Sequence, residues 1–366
     1  MKLLVLANND VGLYRFRKEL LQRLQKEGHE LYLSLPQGDL VDTLIQEGCS
    51  YIETPIDRRG QNPVKDLGLF VRYFRMIRAV KPDLVVTYTV KPNTYGGIVC
   101  RLLKVPYAVN VTGLGSAFRK EGLLRKLVTA MYKAAVKKAD TVFFENTQNR
   151  QVFLEEKIVS PEQCCILNGA GVNLEEFLYG EYPEDAEEMR FLFIGRVMEE
   201  KGIDTLIAAT RKLLEQGVQC TLDVVGSFEE DYREKIRQCE AEGWMRYHGY
   251  QSDVRAFILP AHCIVLPSLH EGMANTNLES AAMGRPIITS DIPGCRETVV
   301  QDASGLLCRA GDPDRLCQAM KKMALLSRDD RKEMGLAGRR HMEQFFDKNK
   351  IVEKTVNRLF RQSEEG

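Results

Sequence analysis

Two glutamates, Glu271 and Glu279, lie in the stretch PSLHEGMANTNLESAAMGRPIITSDIPGCRE, residues 267–297. The run HCIVLPS before it reads as a strand, and Glu271 and Gly272 fall in the loop that follows. A helix is expected from about Asn275, ending at Gly284 with Pro286 behind it. The first N–H groups of a helix have no acceptor inside it and carry partial positive charge, which suits a phosphate. Gly272 removes a side chain where a ligand would approach the backbone. Carboxylates beside such a site accept hydroxyl hydrogens and repel an anion, so Glu271 and Glu279 suit sugar hydroxyls. They fit equally well as solvated carboxylates of an ordinary strand-loop-helix unit.

The cations that would complete a phosphate site lie upstream. Arg196 follows the apolar run RFLFIG, and Lys201 and Gly202 open the next helix. Arginine offers a planar fork of donors to a diphosphate and lysine a compact point charge. With the helix N-terminus near Asn275 they would stabilise the charge of a departing nucleoside diphosphate.

These residues sit in a strand-helix grammar that runs through the chain twice. KLLVLAN, a helix closing at Gly28, and LYLSLP make a first βαβ unit. Gly12 is placed at its strand-to-helix crossing, where open α/β sheets hold ligands. It is a lone glycine, so a dinucleotide fingerprint is only weakly supported. Lys91, after the strand DLVVTYT, and Thr112 and Gly113, in the loop TGLGSAF after YAVNVTG, fall on the same presumed edge. Lys91 reads either as a phosphate contact or as a solvated lysine. A turn-rich, acidic segment over 168–189 precedes RFLFIG, where the grammar restarts. The expected fold is therefore α/β, with two Rossmann-like, doubly wound domains over 1–173 and 174–348.

Length and composition agree with two domains, since 366 residues exceed what one core usually fills. Net charge is zero but unevenly placed: residues 1–173 hold 25 Lys and Arg against 17 Asp and Glu, and the remainder 26 against 34. Different surfaces are therefore expected to meet different partners. The ten cysteines show no metal-ligand spacing and read as buried thiols of a cytosolic protein. Neither a signal peptide nor a membrane-spanning run is expected. The Asp312-Pro313-Asp314 pattern reads as a helix cap, so no metal is assigned.

Residues 118–138 combine Leu123, Leu124, Leu127, Val128, Met131, Tyr132, Ala135 and Val136 with Arg119, Lys120, Arg125, Lys126, Lys133, Lys137 and Lys138. Such a helix lies on an anionic membrane surface or packs on a core with a solvated basic face.

GRVMEEKG (195–202) and EGMANTNLE (271–279) together resemble the two donor-site signatures of the retaining GT-B glycosyltransferases of family 4. With KPNTYGG and VTGLGSAF in the first half, the resemblance extends to the subgroup that lengthens undecaprenyl-diphosphate-linked saccharides, whose members transfer N-acetylgalactosamine or related sugars. It covers nearly the whole chain. It implies two domains facing a central cleft, the first for acceptor and the second for donor, with the last helix, 349–366, returning to the first domain. It further implies that Arg196 and Lys201 bind the donor diphosphate and Glu271 the donor sugar. The backbone of Gly272, Met273, Ala274 and Asn275 would meet hydroxyls or phosphate, Glu279 the ribose, and Gly12 would admit the diphosphate. The donor would be a UDP-sugar, no cofactor would be needed, and the acceptor would be lipid-linked at the inner face of the cell membrane. Two departures stand out. The first loop has Gly12 alone instead of a glycine pair, and where many members of the family carry a histidine in the acceptor domain near the donor sugar, no histidine lies between His29 and His248, so Asn110 and Thr112 are candidates for that histidine's place. His270 reads as a loop residue. A UDP-sugar 2-epimerase of the same fold and a non-catalytic membrane-binding protein are the competing readings, and nucleic acid is not an expected partner.

Overall fold

The computed structural model describes residues 1–57, 60, 62–114, 118, 122–184 and 188–360. The chain divides into two compact units, Met1–Ala170 with the chain from Asn349 onward, and Gly171–Lys348.

The first unit runs β1 (Lys2–Leu6), α1 (Asp10–Lys26), β2 (Glu30–Leu35), α2 (Val41–Gln46), β3 (Ser50–Glu53), α3 (Pro63–Val80) and β4 (Leu84–Tyr88). A π-helical turn, Pro92–Gly96, then leads into α4 (Gly97–Leu103), followed by β5 (Tyr107–Val111), α5 (Leu123–Val136), β6 (Thr141–Phe144), α6 (Thr147–Glu155) and β7 (Cys164–Ile166). Its sheet is parallel, ordered β3-β2-β1-β4-β5-β6-β7. Every residue of β4 and β5 is buried, Thr87 and Asn110 included, which is why those strands show no alternation of apolar and polar residues. Strand order reverses between β1 and β4, so the loops after them diverge at the sheet's carboxyl edge.

The second unit runs β8 (Met189–Ile194), α7 (Ile203–Glu215), β9 (Cys220–Val225), α8 (Arg233–Ala241), β10 (Met245–Tyr247), α9 (Arg255–Ile258), β11 (Cys263–Leu266) and α10 (Asn275–Ala282). It continues through β12 (Ile287–Ser290), β13 (Gly305–Cys308), α11 (Pro313–Leu325) and α12 (Arg328–His341). This sheet is also parallel, ordered β10-β9-β8-β11-β12-β13, and it reverses between β8 and β11. The final helix, α13 (Lys348–Leu359), sets Ile351, Val352, Val356 and Leu359 among Leu13, Leu20, Leu21 and Leu24 of α1. His29 stacks on Phe360 with ring centroids 4.9 Å apart.

One sequence expectation changes at this level and another holds. The apolar stripe of 118–138 divides along its length: Tyr132, Ala135 and Val136 are core residues, while Leu123 (86% exposed), Leu124 and Leu127 face outward. Arg119 and Lys120 lie outside the described residues. Asp312 does cap a helix, accepting from the Asp314 and Arg315 amides at the start of α11.

A buried arginine that the sequence pattern does not announce holds the second unit's entry segment. Arg285 is 0% exposed, and among the described residues no carboxylate pairs with it. Its guanidinium donates to six carbonyls: Nε to Ile258, Nη1 to Gly180, Met283 and Gly284, and Nη2 to Glu181 and Leu259, at 2.7–3.3 Å. Burial lowers its pKa to about 10, which leaves it charged at neutral pH.

Candidate active site

The loops after β8 and β11 meet where strand order reverses, and several contacts lace them together. The Leu269 amide donates to the Glu200 carbonyl (2.9 Å), and Thr276 Oγ1, in the first turn of α10, donates to the carbonyl of Ile194, the last residue of β8 (3.1 Å). Across this frame Lys201 Nζ donates to Glu271 Oε1 at 2.5 Å. Only 16% of the lysine side chain and 9% of the glutamate's are exposed. Ser268 Oγ donates to the same Oε1 at 2.8 Å, so one carboxylate oxygen is held by two donors. Oε2 receives no hydrogen bond from the described residues. The pair thus presents a fixed carboxylate oxygen with an ammonium beside it.

The backbone geometry here depends on two glycines. Gly202 has φ +73°, and a Cβ on it would stand 2.0 Å from the Pro267 carbonyl oxygen. Gly294 has φ +83°, and a Cβ there would come within 2.6 Å of the Gly272 oxygen. Gly202→Ala is expected to cost on the order of 2 kcal/mol, because the loop holding Lys201 must move off Pro267. A urea midpoint equal to that of the unmodified protein would contradict this close approach.

α10 buries Asn277, Leu278, Ala281 and Ala282, which leaves Asn275, Thr276 and Glu279 half-buried on one face, at the spacing of neighbours on a helix. Glu279 therefore stands one turn below the helix start, on the same side as Asn275. Asn275 Oδ1 is buried with no hydrogen-bond partner among the described residues. Two of the amides expected to meet a ligand are already engaged: Ala274 N donates to Gly294 O (2.8 Å) and Asn275 N to Met273 O (3.0 Å). The ligand-facing donors of this turn are accordingly fewer than the sequence suggests.

Arg196 does not join the Lys201 pair. It is 44% exposed, and its Nη1 lies 3.6 Å from Glu229 Oε2. An exposed pair at that distance contributes little to stability, so the guanidinium is easily drawn to a stronger anion.

In the first unit the candidates are more dispersed. Gly12 sits inside the first turn of α1, not in the crossing loop, and its amide donates to the helix cap Asn9 Oδ1 at 2.5 Å. A Cβ would press to 2.8 Å on that oxygen, so the cap alone accounts for glycine here. Lys91 is spent on Asp66 Oδ1 (2.6 Å) and the Gly60 carbonyl (2.8 Å), so the phosphate contact is not preformed. Thr112 and Gly113 follow β5, with open space beside Gly113, while Gly115 of the same loop lies outside the described residues. Asn110 is buried in a chain of bonds with Thr87 and Asn93, which removes it as a stand-in for the missing histidine.

The same edge holds a buried ion pair that sequence reading missed. Arg17 Nη2 donates to Glu145 Oε1 at 2.7 Å, and its guanidinium lies 5.1 Å from the Tyr88 ring centroid. Ser268 was also missed, although Ser-x-x-Glu spacing is a local signal for a hydroxyl reaching a carboxylate three residues on.

Comparison with known proteins gives this geometry its class. The description "Glycosyl transferase 4-like" matches residues 2–146, and "Glycosyl transferases group 1" matches 176–341. The chain is a glycosyltransferase of the GT-B fold, 4-like in its first half and group 1 in its second. It is 25% identical over 354 residues, 92% of each chain, to the N,N'-diacetylbacillosaminyl-diphospho-undecaprenol alpha-1,3-N-acetylgalactosaminyltransferase of Campylobacter jejuni. A UDP-Gal:alpha-D-GlcNAc-diphosphoundecaprenol alpha-1,3-galactosyltransferase of Escherichia coli is 23% identical, covering 85% of this chain and 84% of its own. Among solved structures, a Rickettsia africae glycosyltransferase superposes with TM-score 0.82 at 19% identity over 99% of both chains. Anabaena HepE, in complex with UDP and glucose, does so with TM-score 0.80 at 15% identity, over 98% of this chain and 99% of its own.

Proposed function

We propose that the chain transfers a hexose derivative of the N-acetylhexosamine class from a UDP-sugar to a saccharide carried on a polyprenyl diphosphate, with retention of anomeric configuration. The observation that carries this reading is the Lys201–Glu271 pair at the β8/β11 reversal, beside the first turn of α10. Support comes from the C. jejuni and E. coli relatives, whose names specify diphospho-undecaprenol-linked saccharides, and from HepE, whose complex holds UDP and glucose.

In this proposal Lys201 and Arg196 face the donor diphosphate, Glu271 Oε2 accepts from a sugar hydroxyl and Glu279 from the ribose. The bond between the anomeric carbon and the diphosphate oxygen breaks, and its electron pair leaves with UDP. The acceptor oxygen bonds to the same face of that carbon, and its proton passes to the departing phosphate. No protein nucleophile is required. Cationic side chains and the α10 N-terminus supply the charge stabilisation a divalent ion would otherwise give. Transfer is therefore expected to stay within twofold of its rate in excess chelator; loss of transfer that added Mg²⁺ restores would contradict this. Among the described residues no helix is long and apolar enough to cross a membrane, and we place the enzyme peripherally at the inner membrane face, with the exposed leucines of α5 toward lipid. The test of donor class is thermal unfolding: UDP and UDP-sugars should raise the midpoint and GDP-sugars should not, since only a ligand of the native state stabilises it. An equal shift with GDP-sugars would overturn the UDP assignment.

A further inference from the structure

We propose that α3 is a second membrane-docking helix, whose outer face takes an anionic lipid bilayer beside that of α5. The inference deepens, and rests on, the reading of the enzyme as acting on a lipid-linked acceptor. α3 buries Leu69, Tyr73, Met76 and Ile77 against the sheet. Its opposite side carries Val64 (79% exposed), Leu67, Val71, Arg75 and Arg78 at the spacing of a single helical stripe, aliphatic in the first turns and cationic in the last. Next to the stripe a groove of about 670 Å³ is walled by Phe70, Val71 and Phe74 and bounded by Arg75 and Arg78.

Among the described residues nothing in its own unit buries this stripe, which has the form of an interfacial helix. Charge selects the partner. Residues 62–138 carry fifteen Lys and Arg against three Asp and Glu. Of those three acids, Asp66 is held by Lys91 and Asp83 by the Lys2 amide, while Glu121 lies outside the described residues. Two of the fifteen cations, Lys65 and Arg125, are paired with Asp57 and Glu156 outside that stretch. Arg72, Arg75 and Arg78 of α3 and Lys126 and Lys133 of α5 are exposed, however, and cations set among bare aliphatic side chains match a bilayer that offers negative headgroups and apolar depth together. α3 and α5 lie on the same side of the sheet, and both pack on the π-helical turn Pro92–Gly96. As crossover helices of a parallel sheet, both begin at its carboxyl edge. Val64 and Leu67 are therefore carried on the same side and at the same end as Leu123, Leu124 and Leu127.

The experiment is co-sedimentation of the full chain with vesicles of phosphatidylcholine alone or with phosphatidylglycerol. Three triple variants are compared: Val64→Ser/Leu67→Ser/Val71→Ser, Arg72→Gln/Arg75→Gln/Arg78→Gln, and Leu123→Ser/Leu124→Ser/Leu127→Ser. All the substituted side chains are exposed, and unchanged urea midpoints verify folding. The unmodified chain should pellet only with phosphatidylglycerol, and each α3 triple should lower its partition roughly tenfold. Unchanged binding of both α3 triples, with loss in the α5 triple, would overturn the role of α3 and leave α5 as the lipid helix. An unmodified enzyme that glycosylates a lipid-linked acceptor in detergent but pellets with neither vesicle would overturn the docking face while the catalytic reading stands.

Discussion

Lys201→Ala lowers kcat/KM for transfer from the UDP-sugar by roughly a hundredfold or more, about 2.7 kcal/mol of transition-state stabilisation, and Glu271→Ala does the same. The reason lies in the pair's geometry. Lys201 Nζ is held 2.5 Å from Glu271 Oε1, with Ser268 Oγ on the same oxygen, in a site that leaves both side chains mostly out of water. An ammonium so placed interacts more strongly with a developing diphosphate charge than an exposed one would. Removing it also leaves the Glu271 charge mostly buried with Ser268 as a donor but no counter-ion. The losses are coupled: the double variant should lose much less than the two single losses combined, because each substitution already disables the other residue. Glu271→Gln, which keeps shape and loses charge, should fall between. A loss below tenfold in both alanine variants would sink the site assignment.

Arg285→Met is the largest expected effect on stability. Six carbonyls converge on one guanidinium, among them Gly180 and Glu181 of the entry segment and Met283 and Gly284 at the end of α10. Methionine fills much of the volume and satisfies none of them, so the cost is on the order of 4 kcal/mol. Arg285→Lys keeps the charge but has three donors at one point, which cannot reach carbonyls arrayed around a planar fork. A loss on the order of 2 kcal/mol is expected for it. Urea unfolding measures both; an Arg285→Met midpoint within about 0.5 kcal/mol of the unmodified chain would show that water replaces the guanidinium.

The contrast between these two sites shows what sequence could reveal. Arg196, Lys201, Glu271 and Glu279 were legible because each lies just after an apolar strand run or within the helix that follows, and such local periodicity fixes where strand ends fall. Two parallel sheets with reversals at β1/β4 and β8/β11 follow from the same grammar. Partners distant in sequence were not legible. Lys91 reads from its neighbours as either a phosphate contact or a solvated lysine, and only the fold sets Asp66, 25 residues earlier, against it. Arg17 and Glu145 are 128 residues apart, and nothing near either one signals the other. Arg285, between a glycine and a proline, looked like part of a helix stop, because carbonyl partners leave no trace in side-chain composition. Periodicity marks the α5 stripe as one face but does not report whether that face is covered along its length.

The central claim is tested most directly by incubating the full chain with radiolabelled UDP-N-acetylhexosamine and a polyprenyl-diphosphate-linked saccharide, then following the label into the lipid fraction. The predicted result is transfer that requires both substrates, with the new glycosidic bond in the same anomeric configuration as the donor. Label confined to the aqueous phase for every UDP-sugar tried, an inverted product, or conversion of the UDP-sugar to its epimer without acceptor would contradict it.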